Sequence, residues 1–87
     1  MNIQEQLFKI YNKVKYNSEY WGKLLEESNK RLEGGEEATE RDGEIFYNAT
    51  FYEGASRMGK MFLNTYNGDS SDSDLEFWIG ELGRKLN

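Results

Sequence analysis

The chain contains no cysteine, no histidine and no proline. Without cysteine there is neither a disulfide nor a thiolate metal site, as expected for a protein kept in a reducing compartment. Without histidine the commonest general base and the commonest transition-metal ligand are both missing, which argues against ordinary hydrolase and zinc chemistry. Carboxylates alone would have to be held in a pocket to catalyse anything, and most of the 16 acids fall in loop-like or helix-surface positions. The expectation is a protein that is not an enzyme, with no catalytic residue, no metal and no cofactor. Long apolar runs are also missing: none approaches the roughly 20 residues that cross a bilayer, and no signal-peptide core stands at the N-terminus. These features read as an intracellular protein, where the Asn48-Ala49-Thr50 sequon has no glycosylation role.

What is present is charge, unevenly spread. The net charge is −5 over 87 residues, yet residues 1–31 carry six Lys or Arg against four Glu while the remainder is strongly acidic. General DNA binding is disfavoured, because phosphate neutralisation needs net basic surface. A local basic strip on the first helix is still compatible with that total.

The apolar spacing is helical throughout, with no period-2 segment. Ile3, Leu7, Ile10, Val14, Trp21, Leu25 and Leu32 form one stripe, predicting a first helix over about 3–32 with Asn2 as cap and Gly34-Gly35 as stop. Four Glu-to-Lys/Arg pairs at i,i+4 support it, Glu27 with Arg31 among them. The polar stretch 34–43 reads as a turn, with Thr39 or Asp42 able to cap a second helix over about 40–66 that ends at Asn67-Gly68. Gly54 and Gly59 weaken that helix, and a bend or break near Gly54 is the alternative to one continuous helix. Residues 69–74 read as a linker, and Ser73 with Glu76 as the capping pair of a third helix over about 74–86, carrying Leu75, Trp78, Ile79, Leu82 and Leu86 on one face and a Glu81/Lys85 pair. The fold class expected is all-α: one domain, 1–87, built as a long antiparallel helical hairpin plus a shorter third helix. A chain this short has little core, so assembly into a homo-oligomeric bundle is expected.

Two apolar rows share the second helix. Ile45, Ala49, Tyr52, Ser56, Gly59, Leu63 and Tyr66 form one, with small residues over which a large side chain such as Trp21 could fit. Phe51, Ala55, Met58 and Phe62 form the other, the candidate oligomer interface. A third feature lies off the core stripe of the first helix, where Lys9, Lys13, Tyr16, Tyr20 and Lys23 make a candidate strip for a ligand or partner: ammonium groups for phosphate or carboxylate, rings for stacking. A fourth is the acidic turn, Glu36, Glu37, Glu40, Asp42 and Glu44, a candidate partner surface that could imitate nucleic-acid phosphates. The acids Asp69, Asp72, Asp74 and Glu76 do not make a calcium loop, since the twelfth position from Asp69 or Asp72 is Gly80 or Gly83 rather than Glu.

The stretch Phe51-Tyr52-Glu53-Gly54-Ala55, followed by Met58, Met61, Phe62 and Leu63, resembles the second helix of small helical-hairpin accessory proteins of bacteriophages and prophages. The resemblance implies a binding protein that inhibits or titrates a host protein, including components of anti-phage defence. The alternatives are an oligomeric sponge for a cyclic or other nucleotide, and an acidic nucleic-acid mimic. Trp78-Ile79-Gly80 also matches the W-x-G tripeptide of a secreted helical-hairpin family, but there it lies in the turn between helices and here it falls inside the last helix, so that assignment is not carried over.

Overall fold

Residues 2–65 and 73–86 are described by the structure, a computed structural model, and they form three α-helices. These are α1 (Ile3–Glu33), α2 (Glu40–Thr65) and α3 (Ser73–Leu86). The Asn2 side chain caps α1 by accepting a hydrogen bond from the Glu5 N–H at 2.8 Å. At the other end Gly35 adopts a φ of 99°, and the Glu36 and Gly35 N–H groups donate back to the Arg31 and Leu32 carbonyls at 3.2 and 3.1 Å. This is a Schellman closure, and the positive φ is what requires glycine at 35.

The start of α2 uses both expected cap residues at once. The Thr39 hydroxyl accepts from the Asp42 N–H at 3.2 Å, while the Asp42 carboxylate accepts from the Thr39 N–H at 2.9 Å. That is a capping box with aspartate in place of the usual glutamate. Asp42 also reaches across the turn to accept from the Ser28 hydroxyl of α1 at 2.6 Å and from the Arg31 guanidinium. The turn is therefore fastened from both helices.

α1 and α2 run antiparallel as a hairpin within an elongated molecule of 53 × 22 × 17 Å. α2 continues unbroken through Gly54. α3 lies along the open end of the hairpin, antiparallel to α2: Trp78 meets Phe62 edge to face at 5.9 Å, and Lys85 sits 4.5 Å from the centre of the Phe51 ring. Leu7 and Val14 of α1, Tyr52 and Phe62 of α2, and Leu75, Trp78 and Leu82 of α3 make one core. Each such fully buried side chain contributes roughly 1.5–3 kcal/mol.

The small residue that admits a large ring is Gly59, and the ring is Trp78 rather than Trp21. A Cβ placed at 59 would stand 2.7 Å from Trp78 Cζ2 and 2.9 Å from Tyr11 Cδ1. Trp21 is half-buried at the other end of the hairpin, under the Arg41 guanidinium at 5.4 Å. Two expected ion pairs are replaced. Arg31 turns from Glu27 to Glu36 and Asp42, and Glu81 pairs with Arg84, which frees Lys85 for the Phe51 face. Ser73 is the first residue of α3 rather than the cap before it. The expected end of α2 at Tyr66, Asn67 and Gly68 and the linker acids Asp69 and Asp72 lie outside the described residues.

Candidate interaction surfaces

The Lys/Tyr strip is a straight row on α1. From Lys9 through Lys13, Tyr16 and Tyr20 to Lys23 the spacing is 4, 3, 4, 3, which keeps all five on one side of the helix. All five are exposed, Tyr16 at 69%, and the Tyr20 ring is held edge-on to Trp21 at 5.4 Å. Sequence reasoning missed one member: α3 brings Arg84 beside Lys9 and Lys13. Together with Gln6, Ile10 and Gly80 they line a groove of about 350 Å³ between α1 and α3. Gly80 and Gly83 keep that groove open, for neither carries a side chain that would fill it. Arg84 is partly offset by its ion pair with Glu81, while Lys9 and Lys13 form no ion pair among the described residues.

The acidic turn fares differently, because its charges are largely matched internally. Asp42 is only 4% exposed and committed to Ser28, Thr39 and Arg31, which removes it from any free partner surface. The Ser28 hydroxyl, the Thr39 N–H and hydroxyl, and Arg31 hold its carboxyl well below the usual carboxylate range, against the opposing effect of burial. Glu36 pairs with Arg31 and Glu44 with Arg41, both at the surface. Of the five acids proposed from sequence, Glu37 and Glu40 are left exposed with no ion pair among the described residues.

The second row of α2 divides. Phe62 is 3% exposed and buried beneath α3, and Phe51 and Ala55 pack partly against the same core, so these three serve the chain's own fold. Met58 is 49% exposed. It shares a second groove, about 610 Å³ between α2 and α3, with Met61, Phe77, Trp78 and Leu82, rimmed by Asp74, Glu81 and Lys85. Met61, Phe77 and Tyr47 were not singled out by the apolar rows read from sequence. The signal was there for Tyr47 and Met61, since Tyr47, Phe51, Gly54, Met58 and Met61 repeat at 4, 3, 4, 3. Phe77 had none, its exposure depending on how α3 docks.

Among the described residues no three acidic side chains gather as a metal ion would require, and no helix is long and apolar enough to cross a membrane. Fold and surfaces together define a small all-α protein, a helical hairpin with a third helix docked over one end. No protein family, no curated protein and no solved structure matches it.

Proposed function

We propose that this chain is a non-enzymatic binding protein that inhibits or titrates a protein of a bacterial host, in the manner implied by its resemblance to phage helical hairpins, and that it works as a homo-oligomer. The partner meets the Lys9–Lys23 row with an acidic surface. One observation carries this choice over the acidic turn: the row is exposed and gains Arg84 from α3, whereas three of the turn's five acids, Glu36, Asp42 and Glu44, are matched by Arg31 and Arg41 or buried. An acidic nucleic-acid mimic needs carboxylates free to replace phosphates, and this turn offers few.

A second reading has its own support. A groove of about 350 Å³ lined by Lys9, Lys13 and Arg84 is within the size range of small-ligand sites, and Tyr16 lies one helical turn beyond Lys13. A nucleotide phosphate in that groove with its base on Tyr16 would make the protein a nucleotide sponge.

Affinity capture from bacterial lysate, with and without nuclease treatment, tests the first reading. The protein is expected to retain a partner under both conditions, the Lys9→Glu/Lys13→Glu variant to lose it, and Glu37→Lys/Glu40→Lys to keep it. Retention by the lysine variant would overturn the assignment. A thermal-shift screen with cyclic and linear nucleotides addresses the second, since a ligand at 100 times its dissociation constant adds about 2.7 kcal/mol of apparent stability.

A further inference from the structure

Most of one seam of α2 is left exposed by the fold of a single chain; only Phe51 in it packs partly against the core, with Lys85 over its ring. Tyr47, Phe51, Gly54, Met58 and Met61 follow one another at heptad-like spacing on the side of α2 turned away from α1, and Phe77 of α3 stands beside them. Tyr47 is 62% exposed, Met61 50% and Phe77 70%. Gly54 occupies the middle of this row, and a Cβ added there would meet nothing within 4 Å. A glycine weakens a helix interior, and this one admits no side chain of its own chain, unlike Gly59. What it does permit is close approach by a second helix.

We propose that this seam pairs with the same seam of a second copy, α2 against α2, antiparallel about a two-fold axis at Gly54. This rests on the oligomeric part of the function proposed above and gives it a geometry. The row is complementary to itself only in that direction, because its aromatic half then lies on its methionine half. Phe51 meets the partner copy's residue 58 and Tyr47 its residue 61, the ring-to-thioether contact that methionine favours. A parallel pair would instead stack tyrosine on tyrosine and leave the methionines together. Beside the seam, Glu53 and Arg57 form an i,i+4 pair at 2.7 Å. Antiparallel pairing about position 54 brings each Glu53 within reach of the other copy's guanidinium, so the flanking charges match as well.

Area and topology agree with this occupant. Tyr47, Met58, Met61 and Phe77 are each about half exposed or more. At roughly 200 Å² for a large side chain, full burial of these residues in two copies would cover on the order of 900 Å², and the flanking Glu53 and Arg57 side chains, both exposed, carry the total past the ~1,000 Å² floor of a specific interface. α3 flanks only the C-terminal part of α2, from Phe51 onward. The two-fold therefore sets most of each α3 along an opposite half of the pair, the two coming side by side only near residues 51–57.

The absence of native cysteine makes the test direct. Helices packed at about 8–10 Å bring facing Cα atoms to roughly 4–5 Å, within disulfide reach. Under mild oxidation Gly54→Cys is expected to form a covalent dimer, the Tyr47→Cys/Met61→Cys double variant likewise, and Tyr47→Cys alone to remain uncrosslinked. Light scattering of the unmodified chain at micromolar concentration is expected to give twice 10.2 kDa. Gly54→Leu, which has space in the single chain, is expected to keep its helical circular dichroism while its dimer dissociation constant rises at least tenfold. A monomer mass for the unmodified chain, efficient crosslinking of Tyr47→Cys with itself, or an unchanged dissociation constant for Gly54→Leu would each overturn the proposal. None of these measurements involves a host partner, so loss of the dimer and loss of strip binding are read separately.

Discussion

Gly54 and Gly59 stand on the same helix and face opposite demands. At 59 the ring of Trp78 and the edge of Tyr11 already occupy the place a methyl group would take. Gly59→Ala should therefore lower stability by about 1–3 kcal/mol, the usual scale of overpacking. At 54 the helix alone decides, and Gly54→Ala should raise the stability of the dilute chain by up to about 1 kcal/mol. Urea denaturation of the two variants checks that the signs differ. Asp42 is the other residue whose surroundings set its behaviour. Its folded pKa lies below the unfolded value of about 3.9, so its carboxylate stabilises the fold above that pH and the contribution is lost as pH falls through the folded pKa. Denaturation midpoints followed from neutral pH downward should thus decline below about pH 4. Asp42→Asn should be less stable at neutral pH and show a flatter acid decline.

Among the elements, α3 depends on one anchor more than on its length. Trp78 fills the gap over Gly59 and meets Phe62, and its buried Nε1–H has no acceptor among the described residues, so the ring is held by packing. Trp78→Ala should cost about 3–5 kcal/mol and release α3 from the hairpin. Hydrogen exchange should then rise first in Ser73–Leu86 and in the Leu7 to Val14 part of α1 that α3 covers, while the Ser28–Asp42 end keeps its protection. The α1–α2 turn is fastened separately by the Schellman closure and the Thr39–Asp42 box, which is why the two ends should respond independently.

At the scale of the molecule, the surfaces proposed for function differ in their physics. In the proposed function the Lys9–Lys23 row acts through exposed charge, whose reach falls to about 8 Å at physiological ionic strength. In the proposed dimer the α2 seam acts through buried apolar area, which salt does not screen. Raising salt should weaken partner binding to the row and leave the oligomeric mass of the free protein unchanged; the two measurements, made on one preparation, separate the surfaces. The overall charge of −5 keeps the molecule acidic while the basic row lies along a single helix, so for the partner proposed above the local field and not the total would set the approach.

The three helices and the caps at Asn2, at Gly34-Gly35 and at Thr39–Asp42 were legible in the sequence because they arise from neighbours along the chain, whereas Ser73, expected as a cap, falls inside α3. Asn2 before Glu5, Gly34-Gly35 after a charged last turn, and Thr39 three residues before Asp42 satisfy backbone groups locally, whatever the rest of the chain does. The 4, 3 spacing likewise fixed which residues share a face. What spacing alone could not decide was which face meets which partner. Phe62 and Met58 belong to one apolar row, yet one is buried under α3 and the other left exposed, since the direction from which α3 approaches depends on Trp78 finding the space over Gly59. The same docking moved Arg84 to Lys9 and Lys13 and exposed Phe77 beside the α2 seam. Contacts between residues far apart in sequence depend on the shape of both surfaces at once, and only the tertiary structure contains that information.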